Sequence, residues 1–191
     1  MIAVQERRLS VREYLALWGT HYKKYWKYYL VGFGSLVLLQ TVFRIDINYT
    51  NSLPDHVYIT IKGYKSNIKT GDYVAYKFPT DSPITLFRKG DHMVKIIAGV
   101  EGDEVKRDEN GNFSILRKTD SQAMHAMGGF SAGKAKPTSR EGRPLTPGPT
   151  GTIPAGHYYV YAPNPDSLDS RYSLVSWIND DDIIGKTYPL F

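Results

Sequence analysis

Apolar and polar positions follow three different regimes along this chain. Residues 1–22 carry a short amphipathic helix pattern: Ser10 is placed to cap it, Glu13 sits at capping-box spacing, and Leu15, Leu17 and Trp18 follow. From Tyr28 to Phe43 the chain reads YYLVGFGSLVLLQTVF, an almost unbroken apolar run of sixteen residues. At about 1.5 Å per residue such a run falls somewhat short of the roughly 20 residues that cross a bilayer. Lys23, Lys24 and Lys27 can snorkel at one end and Arg44 at the other, with Tyr25, Trp26, Tyr28 and Tyr29 as an interfacial belt. No small-x-small cleavage site follows, which argues against a cleaved export signal. A transmembrane anchor over residues 28–45 is therefore expected, with a buried core helix as the alternative.

Beyond residue 46 the period drops to two. Val57–Lys62 (VYITIK) alternates apolar and polar side chains, and Gly63 with the 67–72 stretch makes a turn. Tyr73–Phe78, Met93–Val100, Glu104–Arg107, Phe113–Arg117, His157–Ala162 and Ile183–Pro189 read as further strands. Asn110-Gly111 is a strong hairpin signal between two of them. Between Thr119 and Gly151 the composition shifts to Gly, Pro, Ser, Thr, Ala and Lys, which reads as a flexible insertion or flap. The expected fold is mostly β, antiparallel and partly barrel-like, behind one N-terminal transmembrane helix. Its parts are a basic cytoplasmic segment at 1–27, the anchor at 28–45 and an exported domain at 46–191.

Charge supports that division. The net charge is +5, yet residues 1–27 alone carry six Lys/Arg (Arg7, Arg8, Arg12, Lys23, Lys24, Lys27) against Glu6 and Glu13. The remainder is close to balanced, so the basicity marks one end of the chain. It reads as a positive-inside topology signal with attraction to anionic lipid, and not as a nucleic-acid surface. The chain has no cysteine, which excludes a disulfide framework, a thiolate nucleophile and any cysteine-built metal site. The five histidines show no ligand spacing.

Two residues carry the candidate chemistry. Ser52 lies in a Ser-Leu-Pro turn just after the apolar run, and Lys95 sits in His-Met-Val-Lys-Ile-Ile-Ala-Gly. In an extended segment Met93, Lys95 and Ile97 share one face, so the amine projects among apolar neighbours. Desolvation lowers a lysine's pKa and makes it a base near neutral pH, the partner a serine hydroxyl needs. Taken singly, Ser52 reads as a turn residue beside proline and Lys95 as a lysine snorkelling from a strand edge. Ser66-Asn-Ile-Lys69 fits a Ser-x-x-Lys motif but lacks the helix and partner motifs that such chemistry requires. Asp180–Asp182 reads as a solvated turn, and Asn48-Tyr-Thr50 as a glycosylation acceptor without meaning in a bacterial setting.

Five stretches occur in a telling order: Asn48-Tyr-Thr-Asn-Ser52-Leu-Pro54, Gly71-Asp72-Tyr-Val74 ending at Pro79, Val94-Lys95 through Gly99 to Gly102-Asp103, Ile153-Pro154 through Gly156 to Val160, and Asn164 through Ser167, Asp169 and Ser170 to Arg171-Tyr172. Together they resemble the bacterial type I signal peptidase family, most of all its TraF-type pilin-processing branch from plasmid conjugative transfer. The resemblance implies a Ser52 nucleophile and a Lys95 general base. Thr50 then helps hold the oxyanion beside the Ser52 N–H, Ser167 orients the lysine, and Asp169 with Arg171 forms a supporting ion pair. It further implies removal of leader peptides from exported precursors such as a pilin, by hydrolysis or by cyclisation, with no metal or nucleotide cofactor. The implied setting is the bacterial inner membrane, single-pass, N-terminus cytoplasmic and catalytic domain periplasmic. Implied partners are membrane lipid and components of a conjugative pilus or type IV secretion system. The family usually has Gly-Asp-Asn where this chain has Ala162-Pro163-Asn164, methionine where it has Leu53, and arginine where it has Ile96. A general housekeeping signal peptidase, a non-catalytic scaffold of the secretion machinery and a self-cleaving repressor are the alternatives. The repressor needs a DNA-binding domain where the apolar run stands.

Overall fold

The computed structural model describes residues 10–191 in two compact units, the first ending at Thr41 and the second spanning Val42–Phe191. Residues 1–9, with Arg7 and Arg8, lie outside the described residues. The first unit is built from one helix, α1 (Val11–Val42), 32 residues long with no buried residue. The expected capping box starts it. The Ser10 N–H donates to the Glu13 carboxylate at 2.8 Å, and the Glu13 N–H to Ser10 Oγ at 3.3 Å. The Ser10 N–H and the Ser10 hydroxyl, the latter at 2.9 Å, both donate to the Glu13 carboxylate and hold it below its ordinary range.

Two expectations are revised here. The amphipathic segment and the apolar run are one continuous helix, because no proline interrupts residues 11–42 and the i→i−4 ladder has no reason to stop. No helix among the described residues is long and apolar enough to cross a membrane. Lysines and tyrosines crowd the near end of the apolar run, Gly32, Gly34, Ser35, Gln40 and Thr41 dilute it, and Phe43 to Ile45 already belong to a strand.

The second unit contains β1 (Phe43–Ile47), β2 (Val57–Lys62), β3 (Tyr73–Lys77), β4 (His92–Gly99), β5 (Glu104–Arg107) and β6 (Asn112–Leu116). Helix α2 (Gln122–Ala126) follows, then β7 (Phe130–Lys134), β8 (Gly151–Thr152), β9 (His157–Tyr161), β10 (Ile178–Asn179) and β11 (Ile183–Pro189). The strands form a seven-stranded sheet, β1-β2-β11-β3-β4-β9-β10, and a four-stranded sheet, β7-β6-β5-β8, with antiparallel pairing throughout. The antiparallel expectation holds. The barrel-like one does not: both sheets are open and no barrel closes.

Two apolar clusters hold the unit together. Val74, Tyr76, Phe78, Met93, Ile97 and Val160 fill the first, while Val105, Phe113, Ile115, Ile153, Tyr159 and Tyr172 fill the second. Strand β4 alternates as its sequence predicts, with Met93, Lys95 and Ile97 buried and Val94 and Ile96 half-buried. The register pairs Lys95 with Val74 on β3.

The stretch expected as a loose flap carries regular structure. Ser121 caps α2, β7 extends the second sheet, Thr138 bridges Pro144, and Pro147 bridges Tyr172. Its glycines serve close approach as well as turns. A Cβ on Gly148 would lie 2.2 Å from the Ser170 carbonyl oxygen, so only glycine lets this segment lie against the loop after β9.

Candidate active site

A turn, a strand and a loop meet at one cleft. The turn after β1 carries Ser52, and the residue before it, Asn51, has φ 48°. Asparagine tolerates that left-handed backbone better than most residues. The bend is braced from across the cleft, where Asn164 Nδ2 donates to the Asn51 carbonyl at 3.1 Å. Lys95 rises from the buried face of β4, and its Nζ lies 2.9 Å from Ser52 Oγ. Ser52 is 6% and Lys95 3% exposed.

Burial sets the charge on the amine. Loss of solvent pushes the Lys95 pKa down from 10.5 to about 8; Asp169 pulls it partly back and the Arg171 guanidinium pushes it further down. Near neutral pH part of the population therefore carries a free lone pair within hydrogen-bonding reach of the serine hydroxyl. A neutral amine so placed can accept the hydroxyl proton and release a nucleophilic oxygen.

The loop after β9 forms the floor. Arg171 meets Asp169 through two bonds of 2.8 Å, from Nε to Oδ1 and from Nη2 to Oδ2, with both side chains fully desolvated. The spare capacity of Nη2 reaches the Asn164 carbonyl at 3.1 Å, and Asp169 Oδ2 accepts from the Ala162 N–H at 3.1 Å. The expected ion pair is thus present and acts as a brace for the loop that carries Ser167. Ser167 is buried and lines the cleft beside Lys95, but its Oγ bonds to nothing, so the expected contact with the lysine amine is not made. Ala162, which replaces the family's usual glycine, is buried in a small cluster with Leu53 and Tyr58. Its methyl group is accommodated in that packing.

Thr50 lies at the rim, exposed, its hydroxyl donating to Asn48 Oδ1 at 3.3 Å. The Ser52 N–H points to the same oxygen at 3.4 Å. Asn48 and Asn164 are the residues that sequence reasoning left without a task. Both lie inside recognised motifs, and that membership was the available signal. What they do depends on loops meeting in three dimensions.

The cleft has a volume of about 790 Å³ and is lined by Thr50, Ser52, Lys95 and Ser167, with Met93 and Leu174 among its apolar walls. Thr138, Ser139, Arg140, Glu141 and Arg143 also line it. Their segment is tied down by Lys136 and Arg140, both paired with Asp166, and by Arg143, which donates to the Pro83 carbonyl. Among the described residues no group of three His, Asp or Glu is placed to hold a metal ion.

A sequence model described as "Signal peptidase, peptidase S26" matches residues 25–191, the whole of this unit and part of α1. The chain belongs to the signal peptidase family. Signal peptidases are serine peptidases that remove leader peptides from exported precursor proteins, and they are typically membrane-associated. Among solved structures, a signal peptidase I from Enterococcus faecalis V583 aligns over 65% of this chain and 98% of its own, at 20% identity and a TM-score of 0.37. No curated protein matches the chain.

Proposed function

We propose that Ser52 is the nucleophile and Lys95 the general base of this leader peptidase. The observation that carries the reading is the 2.9 Å contact between a buried hydroxyl and a buried amine whose pKa is lowered to about 8. As Ser52 Oγ attacks the scissile carbonyl carbon, neutral Lys95 takes its proton. The developing oxyanion is met by the Ser52 N–H and the Thr50 hydroxyl. The Lys95 ammonium then gives that proton to the leaving amine as the C–N bond breaks, leaving an ester on Ser52. Lys95, neutral again, deprotonates the second nucleophile, and the ester is resolved. That nucleophile is water in hydrolysis; in cyclisation the bond cut lies instead at the C-terminal end of the pilin segment, so that Ser52 carries the pilin's own carbonyl and the pilin's N-terminal amine resolves the ester. Asp169 and Arg171 hold the floor of the site, and Ser167 supplies a hydroxyl beside the amine.

The same reading places the catalytic unit on the periplasmic side of a bacterial inner membrane with the chain's N-terminus in the cytoplasm; α1 falls short of a full span by itself, and local bilayer thinning with its flanking lysines and aromatic residues makes up the difference. The basic residues ahead of the apolar run support that orientation. Leu30, Val31, Phe33, Leu36, Leu38 and Leu39 of α1 are all exposed, an apolar surface that water alone does not favour. The second unit has an apolar face of its own. Ile45 pairs with Ile59 and Ile59 with Tyr188, while Ile47 pairs with Val57, so these side chains share one side of the β1-β2-β11 sheet. Ile45 remains 66% exposed.

The substrate is proposed as a pilin-type precursor of conjugative transfer, on the strength of the five motifs and the single compact exported unit. The test is mass spectrometry of a candidate pilin precursor incubated with the full chain in detergent. Wild type should remove the leader and Ser52→Ala should leave the precursor intact. A product one water lighter than the linear pilin segment marks cyclisation, and a product with the linear mass marks hydrolysis. Cleavage that survives in Ser52→Ala rules the assignment out.

A further inference from the structure

Asn48 opens the first motif with no role in the chemistry described so far, yet its side chain makes five hydrogen bonds within the Ser52 turn. Its amide nitrogen donates to two main-chain carbonyls, Leu53 at 3.0 Å and Asp55 at 3.1 Å. Only the nitrogen end of a carboxamide can serve those two acceptors, so the orientation of the group is fixed by its partners. Oδ1 therefore faces the site. Three donors converge on it: the Ser52 N–H at 3.4 Å, Ser52 Oγ at 3.3 Å and Thr50 Oγ1 at 3.3 Å. The first and third are the two groups that the reaction needs around the oxyanion.

We infer that Asn48 is a positioning residue whose carboxamide oxygen stands in for the oxyanion in the resting site, keeping the Ser52 N–H and the Thr50 hydroxyl aimed at one point. The inference rests on the reading of Ser52 as nucleophile. Thr50 is an exposed hydroxyl on a turn, and without an acceptor its rotor points wherever solvent takes it. Asn48 removes that freedom before substrate binds, so alignment is not left to the transition state. The stand-in is also easily displaced. Its three bonds lie at the long end of the hydrogen-bond range, and its oxygen is neutral. A charged oxyanion forms shorter and roughly twofold stronger bonds to the same donors, so the exchange favours the transition state over the ground state.

The third contact fits the proton inventory. While the Lys95 ammonium donates to Ser52 Oγ, the serine's own proton has Asn48 Oδ1 as acceptor. Once Lys95 is neutral, the hydroxyl can turn to Nζ at the loss of one long bond. Asn48 thus accommodates both protonation states without moving the nucleophile.

Steady-state cleavage of a quenched fluorogenic peptide with alanine before the scissile bond tests this, using the full chain in detergent micelles and thermal melts as a folding control. Asn48→Ala should lower kcat about 10- to 100-fold while KM changes by less than about threefold, because the donors are no longer pre-aligned when the oxyanion forms. Combined with Thr50→Val, the losses should be less than multiplicative, because both act through one donor arrangement. Asn48→Asp has nearly the same shape but sets a carboxylate among the oxyanion donors. Its kcat should fall at least as far. The rising limb of its pH profile should also move to higher pH, since a second anion joins Asp169 in favouring the Lys95 ammonium against Arg171. Wild-type kcat with an unmoved pH limb in both variants overturns the inference. So does a loss confined to KM, or melting of both variants below the assay temperature, which makes Asn48 a purely structural residue. Ser52→Ala is run in parallel: if it still cleaves, the nucleophile assignment fails whatever Asn48 does, whereas an inert Ser52→Ala beside fully active Asn48 variants refutes this inference alone.

Discussion

Lys95 is destabilising where it stands, and its proposed role as general base follows from that. A buried amine with a pKa near 8 in the folded chain and 10.5 when unfolded binds fewer protons folded than unfolded throughout the interval between those values. Stability therefore rises with pH across that window, and the penalty is present in full below the folded value. The penalty at neutral pH has an upper limit of about 3 kcal/mol, reduced by the bond from Nζ to Ser52. Lys95→Met should consequently abolish cleavage and raise the unfolding free energy at pH 7 by about 1–3 kcal/mol, read by urea denaturation. A variant less stable than wild type would show that the amine is not strained in the fold. The contact between Ser52 and a buried Lys95 was legible in the sequence because each sits where local pattern constrains it, one in a proline turn and the other on the apolar face of an alternating strand. Asn48 was not, because its five side-chain contacts follow from how the turn closes. Nor was the unbonded state of Ser167 Oγ, since motif membership places a hydroxyl without setting its partners.

Among the elements, the loop after β9 does the most to fix the site. Arg171 and Asp169 neutralise each other out of contact with water, and their remaining bonds tie the backbone at Ala162 and Asn164. Asp169→Asn leaves the guanidinium buried without a counter-charge, so it should cost about 3–5 kcal/mol in urea unfolding and reduce cleavage along with it. A loss under about 1 kcal/mol would mean that solvent reaches Arg171 and that the brace is unimportant. Val57–Lys62, which alternates along most of its length, stands where period-two patterning puts it, and Glu104–Arg107 and Ile183–Pro189 also stand where the sequence predicts strands. β1 was hidden because Phe43 continues the apolar run of α1. β7, with the sequence FSAGK, carries a glycine at φ 78° and a register shift, and its pairing to β6 supplies an order that its own composition does not announce. β8 and β10, of two residues each, are too short for any period to register.

For the whole molecule, membership of the signal peptidase family and the exposed apolar surfaces bear on where the enzyme works. Each surface is costly in water, and a bilayer offsets that cost. The full chain should remain in the membrane fraction after alkaline carbonate washing. Replacing Ile45 and Ile47 with serine should weaken binding of the 42–191 unit to anionic vesicles by about tenfold. Recovery of the full chain in the wash supernatant would contradict the proposed tether. The fold class was readable from the alternation and turn residues. Closure of a barrel was not, because it depends on strand order, and no local pattern reports that β11 inserts between β2 and β3.

The most direct test of the Ser52–Lys95 pair is the pH dependence of kcat/KM for peptide cleavage by wild type and by Lys95→Met. Neutral Lys95 as general base predicts a rate that rises roughly tenfold per pH unit below an apparent pKa of about 8 and levels above it, with Lys95→Met inactive at every pH. A rate that is flat from about pH 6 to 9, or a Lys95→Met enzyme that still cleaves, would contradict the account.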